Sequence, residues 1–193
     1  CGYTSARLKT KSRDGAVLFS KLYGRIEFRA KVPWGKGLWP ALWMLPVDDK
    51  YGGWAASGEI DLMEIVGEKP EEVLNSIHFG STYPKRTLIT TTHALPKASL
   101  VSDWHTYAVE WEPGEIRFFV DDVQTCTYRH WWSSSKLVKG MGAEAKKETD
   151  LNPWPAPFDQ PFYLVMNVAV GGNFPGVPND KTKFPAELVI DYV

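Results

Sequence analysis

The chain has 193 residues and a mass of 21.8 kDa, which suits one domain with a sizeable core. Its 22 Lys and Arg residues and 23 Asp and Glu residues give a formal net charge of −1, which argues against a protein that neutralises nucleic-acid phosphates. No apolar run approaches the roughly 20 residues of a membrane-spanning helix. We therefore expect neither nucleic acid nor a membrane as a partner.

Aromatic residues are frequent: nine Trp, eight Tyr and nine Phe make up 13% of the chain. Together with 16 Gly and 14 Pro, they predict a turn-rich all-β domain. Flat aromatic rings also suit stacking on the apolar faces of sugars. Composition leaves equally open whether the surplus rings bind a ligand or pack in the core.

Eight segments have the pattern of strands, at 18–32, 38–45, 59–66, 73–79, 106–111, 116–120, 162–170 and 187–193. In the first, apolar Ile26, Phe28 and Ala30 alternate with charged residues, which predicts one dry and one wet face. The second is apolar on both faces and predicts a buried inner strand, although Pro40 indicates an edge or a bulge there.

Tight turns are predicted at 112–115 and 120–123, and a long surface loop at 130–161 with one helical turn at 143–147. Short strands, frequent turns and the lack of helical periodicity together favour a β-sandwich of jelly-roll type over a barrel. We expect residues 1–193 to form a single domain.

Three acidic residues, Glu59, Asp61 and Glu64, lie within six positions of an otherwise apolar strand. Like charges this close repel one another, and burial raises the free energy of each ionised form. A structural strand gains nothing from that arrangement, whereas a glycosidase needs one protonated and one ionised carboxyl group. The pattern therefore indicates chemistry by paired carboxyl groups.

The spacing of the two glutamates requires a bulge. In a regular strand Glu59 and Asp61 share a face, but Glu64 is five positions from Glu59 and would point to the opposite face. An extra residue at Leu62–Met63 would bring Glu64 round. The Cα atoms of the two glutamates would then lie roughly 13 Å apart, which lets their carboxyl groups approach to about 5–7 Å. That range includes the separation of about 5–5.5 Å in retaining glycosidases, whereas the about 6.5–9.5 Å of inverting ones is less easily reached.

Two other interpretations of this strand stay open. Acidic residues can face solvent from a surface strand, but the apolar residues at 60, 62, 63, 65 and 66 leave no obvious wet face. Acidic segments can also bind calcium, but calcium loops use glycine-bearing turns and backbone carbonyl groups, whereas this segment is strand-like throughout.

Residues 59–64, with the sequence EIDLME, resemble the active-site signature of glycoside hydrolase family sixteen, in the laminarinase-like form with the extra Met. The resemblance covers nearly the whole chain, because seven further blocks match in order, at 3–7, 23–27, 37–44, 77–80, 105–111, 166–172 and 190–193. It implies a concanavalin-like jelly roll of two curved sheets, with an open concave cleft that binds a β-glucan chain.

The resemblance implies that Glu59 is the nucleophile, that Glu64 is the acid/base and that Asp61 hydrogen-bonds Glu59. Glu64 would protonate the leaving oxygen while Glu59 attacks the anomeric carbon, and Glu64 would then deprotonate the water that releases the sugar. This chemistry requires no cofactor. The expected reaction is retaining, endo-acting hydrolysis of a 1,3-linked or mixed 1,3/1,4-linked β-glucan.

The resemblance also places Trp43 and Trp54 at the sugar-binding cleft, and His78 near the scissile bond. Trp39 is added because it lies four positions before Trp43 and shares its face on a strand. Asn167 interrupts an apolar strand, and a sugar hydroxyl could be the partner that a buried amide needs. For each of these residues, an ordinary structural role is the alternative.

Other residues are expected to have structural roles. Arg7 and Glu110 are interpreted as framework partners, and Cys1 and Cys126 could form one disulfide bridge. Asp191 matches a position that, in family members, can help bind a structural calcium ion on the outer face. Family members usually have additional N-terminal strands that have no counterpart here. We expect a monomer, and a polymeric substrate implies an extracellular protein.

Two alternative functions stay open. A non-catalytic β-glucan recognition module could share the fold, although such proteins lack the three acids. A hydrolase of the same fold could act on agar or carrageenan, although no basic cluster for sulfate stands out near residues 59–64. Transglycosylation would differ only in which molecule intercepts the glycosyl-enzyme.

Overall fold

The computed structural model describes residues 2–135 and 150–193. Within these ranges the chain forms strands β1 Arg7–Lys9, β2 Gly24–Lys31, β3 Leu38–Pro46, β4 Glu59–Glu64, β5 Glu72–Phe79, β6 Thr87–Ala94, β7 His105–Glu112, β8 Glu115–Val120, β9 Val123–Tyr128, β10 Phe162–Val170 and β11 Val189–Tyr192. They form a six-stranded antiparallel sheet, in the order β1-β10-β3-β4-β5-β6, and a five-stranded one, in the order β11-β2-β7-β8-β9. The predicted all-β sandwich is confirmed. In the described parts of the chain, we find no helix with the length and apolar character to cross a membrane.

The two sheets pack face to face through side chains that alternate along each strand. In β2, Ile26, Phe28 and Ala30 are buried and the residues between them are partly exposed, as the alternating pattern predicts. Trp111 of β7 packs edge-on against Phe162 of β10, with ring centroids 5.2 Å apart. Burial of each large apolar side chain contributes about 1.5–3 kcal/mol, so this core joins the two sheets firmly.

The first long strand is shorter than predicted. β2 begins at Gly24 rather than at residue 18, because Tyr23 and Gly24 have φ angles of 63° and 108°. Regular extended backbone has a negative φ, so the strand cannot continue back through Tyr23, and Gly24, which tolerates a positive φ, is its first residue. The preceding segment instead reaches β10 through a single bridge between Lys21 and Phe162.

β3 is an inner strand, as predicted, but Pro40 marks neither an edge nor a bulge. β3 lies between β10 and β4, and Pro40 pairs in register with Val168 of β10. The Pro40 carbonyl accepts a hydrogen bond from the amide of Ile65, the first residue after β4. In an antiparallel strand the N and C=O of one residue lie on the same side, so the Pro40 nitrogen, which has no hydrogen to donate, faces β4. Because it lies beside the end of β4, few hydrogen bonds between β3 and β4 are lost.

Sequence patterns miss β1, β6 and β9. β6 pairs with β5 over its full length, but its sequence TLITTTHA has no clear apolar alternation that would reveal a strand. The described parts of the predicted loop at 130–161 contain turns, bends and one isolated bridge, from Ser133 to Gly80. The predicted helical turn at 143–147 lies outside the described residues. So does Cys1, and its pairing with Cys126 stays a prediction.

Candidate active site

β4 carries the three acidic residues in the middle of the six-stranded sheet, between β3 and β5. The β4–β5 pairs on either side of a register shift are Asp61 with Ser76 and Glu64 with Leu74. Leu62 and Met63 together therefore oppose one residue of β5, and the predicted bulge is confirmed. Because of this bulge, both glutamates open onto the same face of the sheet.

The residue opposite the bulge is Asn75, a fully buried amide on β5. Its Nδ2 donates a hydrogen bond to the Leu62 carbonyl oxygen at 2.6 Å. Its Oδ1 accepts a hydrogen bond from the Thr125 hydroxyl of β9, also at 2.6 Å. Asn75 thus satisfies a backbone group at the irregular point of the ladder and ties it to the other sheet. Sequence reasoning missed this role, and the one available signal was a polar residue in an apolar strand.

A cavity of about 1040 Å³ lies over the acidic strand, on the side of the six-stranded sheet turned away from the core. Seven of the predicted site residues line it: Trp39, Trp43, Trp54, Glu59, Asp61, Glu64 and Asn167. The eighth, His78, is buried beside Glu59 and Asp61. The fold therefore brings together all the predicted catalytic and sugar-binding residues.

Glu59 is buried and is held by two side chains. Trp54 donates its indole Nε1–H to Glu59 Oε2 at 2.7 Å, and His78 Nε2 lies 3.4 Å from Glu59 Oε1. Burial first, and then the Asp61 charge, raise the pKa of Glu59 to about 8. His78 and the Trp54 hydrogen bond oppose this rise, because both favour the ionised form.

Asp61 is the most deeply buried of the three acids, with 2% of its surface exposed. Its Oδ2 atom lies 3.3 Å from His78 Nε2 and has no hydrogen-bond partner among the described residues, whereas a side-chain hydrogen bond with Glu59 lowers the pKa of Asp61. Burial, together with the Glu64 charge, raises the pKa of Asp61 well above its ordinary value. Three ionised carboxyl groups would repel one another strongly in a site so shielded from water, so the three acids do not all ionise together near neutral pH.

Glu64 ends β4 and receives two hydrogen bonds. The indole Nε1–H of Trp39 donates to Oε1 at 3.0 Å, and the Ser76 hydroxyl donates to Oε2 at 3.3 Å. Burial raises the pKa of Glu64, whereas His78 and the two donors lower it. A carboxyl group whose pKa is raised toward neutrality can both release and accept a proton at working pH.

His78 presents its imidazole Nε2 to the carboxyl groups of Glu59 and Asp61. Burial lowers the pKa of His78 despite the opposing charge of Glu59, which favours a neutral imidazole. Its ring packs 5.4 Å from the Trp54 ring, between centroids. Its Nδ1 is buried and has no hydrogen-bond partner in the described part of the chain.

The three predicted tryptophans line the cavity rather than the core, and each uses its indole N–H inside the site. Trp39 and Trp54 donate to the two glutamates, as described above, and Trp43 donates to Asn167 Oδ1 at 2.8 Å. The sequence analysis suggested a sugar hydroxyl as the hydrogen-bond partner of the Asn167 amide. In the structure, the indole of Trp43 is the partner of the Asn167 oxygen.

Arg7, expected to be a framework partner, is instead a cavity residue. Its guanidinium lies over the Trp43 ring, 4.6 Å from the ring centroid. Arg7 on β1 pairs with Asn167 on β10, so both occupy equivalent positions on the cavity face. A similar contact exists on the other side of the acids, where the Arg86 guanidinium lies 5.1 Å from the Trp54 centroid. A sequence pattern cannot reveal these stacks, because the two members of each are far apart in the chain.

The five-stranded sheet carries the remaining predicted residues on its outer face. Glu110 pairs with Arg25 and Arg117 at 3.2 and 3.0 Å, which is the framework role predicted for it. Asp191 on β11 pairs with Arg29 of β2 at 2.5 Å. Calcium binding at Asp191 stays a prediction.

Known proteins resemble this chain over most of its length. A glucan endo-1,3-beta-glucosidase A1 from Niallia circulans is 42% identical over 99% of the chain and 26% of its own length. A beta-glucanase from Rhodothermus marinus is 43% identical over 99% of the chain and 61% of its own length. The solved laminarinase catalytic domain from Thermotoga maritima superposes with a TM-score of 0.74 at 33% identity, over 96% of the chain and 66% of that domain.

The chain thus spans about a quarter and about three fifths of the lengths of these two curated relatives. The family model of glycosyl hydrolases family 16 matches residues 2–137, which contain the acidic strand and its neighbours. Together with the bulged acidic strand and the cavity above it, this match shows that the chain belongs to glycosyl hydrolases family 16.

Proposed function

We propose that this domain is a retaining endo-β-glucanase that cleaves 1,3-linked glucan of the laminarin type, or a mixed 1,3/1,4-linked glucan. The observation that carries the proposal is the bulge in β4, which brings Glu59 and Glu64 to one face beneath an open cavity. The endo-1,3-glucanase and laminarinase names of the relatives support the substrate class. A cavity of about 1040 Å³, open along the sheet, suits internal attack on a polymer.

In this mechanism Glu59 attacks the anomeric carbon while Glu64 protonates the leaving oxygen. The Trp54 N–H supports Glu59 as the ionised nucleophile, because a hydrogen bond to a carboxylate favours its charged form. Glu64, which is half-buried and has a raised pKa, supplies the proton. After the first step Glu64 is ionised and deprotonates the water that hydrolyses the glycosyl-enzyme.

In the proposed mechanism, Asp61 helps to keep Glu59 ionised while Glu64 is protonated. A proton on Asp61 removes a negative charge beside Glu59 and can be donated to the Glu59 carboxylate. Glu59 and Asp61 both have raised pKa values, so the pair holds a proton near neutral pH, and Glu59 attacks in the form of the pair in which that proton lies on Asp61. This division leaves Glu59 as the nucleophile and Glu64 as the acid.

Sugar binding is proposed for Trp39, Trp43, Trp54, His78 and Asn167, with Arg7 added from its position in the cavity. The tryptophan rings offer apolar faces for stacking, and their N–H groups are already committed to protein acceptors. Trp54 is 38% exposed, which leaves part of its ring available to a sugar.

Digestion of laminarin, lichenan and agarose, with products analysed by mass and by anomeric NMR, tests this proposal. We expect internal cleavage of laminarin with the β-anomer formed first. Glu59→Gln should abolish turnover, and Glu64→Gln should lower it by about 10²–10⁴-fold. Glu68→Gln, an exposed glutamate just beyond the strand, is the matched control and should retain activity.

Three results would contradict the proposal. Soluble glucan binding without new reducing ends would identify a recognition module. Cleavage of agarose in place of laminarin would identify a galactan hydrolase. Formation of the α-anomer first would indicate inversion, which needs a wider carboxyl separation.

We also propose that the domain acts outside the cell, because a glucan polymer is too large to enter it and must first be cleaved outside. We propose further that the domain acts as a monomer. Catalysis by two carboxyl groups requires no cofactor. A structural calcium ion near Asp191 would be independent of the cavity, since Asp191 pairs with Arg29 on the other sheet.

A further inference from the structure

Glu59, Asp61 and His78 each present one donor atom to a common point, and the three donor atoms lie within 4.8 Å of one another. His78 Nε2 is 3.4 Å from Glu59 Oε1 and 3.3 Å from Asp61 Oδ2. These distances are long for hydrogen bonds, and a single imidazole N–H could serve only one of the two oxygens well.

Two of these donor atoms, Glu59 Oε1 and Asp61 Oδ2, have few other contacts with polar groups. Trp54 occupies Glu59 Oε2 and leaves Oε1 toward His78. Asp61 Oδ2 is fully buried and has no hydrogen-bond partner in the ranges 2–135 and 150–193. A buried carboxyl oxygen without a hydrogen-bond partner is a costly arrangement, and a cation bound in place of the proton that Glu59 and Asp61 share would relieve it.

The two separations that involve His78 match those around a four-coordinate ion. Zinc binds imidazole nitrogen and carboxylate oxygen at about 2.0–2.2 Å, so donors in a tetrahedral shell lie about 3.3–3.5 Å apart. The separations of His78 Nε2 from Asp61 Oδ2 and from Glu59 Oε1, 3.3 and 3.4 Å, have this value, and the Glu59 and Asp61 donor atoms lie within 4.8 Å of each other. The fourth position would be open, because Glu59 and Asp61 both line the cavity.

We propose that Glu59, Asp61 and His78 form an inhibitory binding site for a divalent transition-metal ion such as Zn²⁺ or Cu²⁺. One imidazole and two carboxylate oxygens select such ions over Ca²⁺ and Mg²⁺, which require six or more oxygen ligands or retain their water. A bound ion would hold the Oε1 lone pair of Glu59 and block attack on the sugar. That consequence rests on the proposed function, whereas the binding itself does not.

Calorimetric titration of the EDTA-treated, dialysed protein with ZnCl₂ tests the site. We expect one ion per chain, no binding heat with MgCl₂, and visible absorption bands of a four-coordinate site with CoCl₂. His78→Asn and the nearly isosteric Asp61→Asn should each weaken Zn²⁺ binding by about tenfold or more. His93→Asn, which alters a partly buried histidine on β6, is the matched control and should bind as the unmodified chain does.

Laminarin hydrolysis measured in parallel separates the two proposals. Zn²⁺ should inhibit turnover with the affinity found by calorimetry, and laminarin oligosaccharides should compete with the ion. Absence of Zn²⁺ binding, or equal binding by His78→Asn and Asp61→Asn, would overturn the metal site whatever the activity. One bound ion, lost in both variants, in a protein that does not hydrolyse any glucan would support the site and contradict the proposed function.

Discussion

Replacement of Glu59 by Gln should stabilise the folded domain, and the gain should grow with pH. Burial raises the pKa of Glu59 from 4.5 to about 8, so between these values the folded protein holds a proton that the unfolded chain releases. The free energy of unfolding of the unmodified protein therefore falls as pH rises through this window. Gln has no proton to lose and escapes the fall.

The size of the effect follows from the same two pKa values. The ionisable carboxyl group costs the folded state at most about 3 kcal/mol at pH 7 and about 5 kcal/mol above pH 9, relative to its value below pH 4. For a chain of this length, 3 kcal/mol corresponds to a rise in Tm of about 6–12 °C. Below pH 4 both proteins carry a neutral side chain at residue 59 and should have similar stability.

Thermal and urea unfolding between pH 4 and pH 9, in EDTA, measures this difference. Glu27→Gln is the matched control with the opposite sign, because hydrogen bonds from Tyr192 and Arg25 lower the pKa of Glu27. Its contribution to stability is present above the unfolded pKa and is lost as pH falls, so this variant should be less stable than the unmodified chain at pH 7 and similar at low pH. A Glu59→Gln difference that is constant from pH 4 to pH 9 would refute the reasoning, since it would mean that the Glu59 charge is fully compensated in the folded state.

Two further substitutions test how the site is held. Trp54→Phe keeps an aromatic ring but removes the N–H that donates to Glu59 at 2.7 Å, so the pKa of Glu59 should rise further. The acidic limb of the profile of kcat/KM against pH should then move to higher pH. An acidic limb at the same pH would show that this hydrogen bond does not support the nucleophile. Asn75→Ala leaves the Leu62 carbonyl unpaired at the bulge, which should lower the free energy of urea unfolding by about 1–3 kcal/mol and lower kcat more than it raises KM. Gln124→Ala, at an exposed position of β9, is the control and should change neither the stability nor the kinetics. Unaltered kcat in a destabilised Asn75→Ala protein would show that the bulge does not depend on this amide.

Much of the fold and the acidic centre could be predicted because the relevant information is local. Alternation along 24–31 sets which residues face the core, and burial follows it, whereas the unbroken apolar run at 38–45 indicates an inner strand, which β3 is. The odd spacing of Glu59 and Glu64 forces a choice between opposite faces and a bulge, so the bulge is predictable from the chemistry that both residues would share. Strand β6 and the start of β2 escaped this reasoning, because a threonine-rich strand lacks apolar contrast and a positive φ at Tyr23 leaves no mark in hydropathy.

The surroundings of the acids, by contrast, depend on strands that are distant in sequence. Arg7 reaches Trp43 only because β1 and β3 flank β10, and Asn75 supports Leu62 only because β5 lies beside β4. Which carboxyl group keeps its proton likewise depends on depth of burial and on the indole N–H groups of Trp39 and Trp54. The sequence by itself determined most of the strand pattern and the identity of the acids. Alternation in a strand repeats every two residues, and the three acids lie within six positions, so both features can be recognised locally. Only the tertiary structure decided their protonation and their partners, because desolvation and hydrogen bonding act through space rather than along the chain.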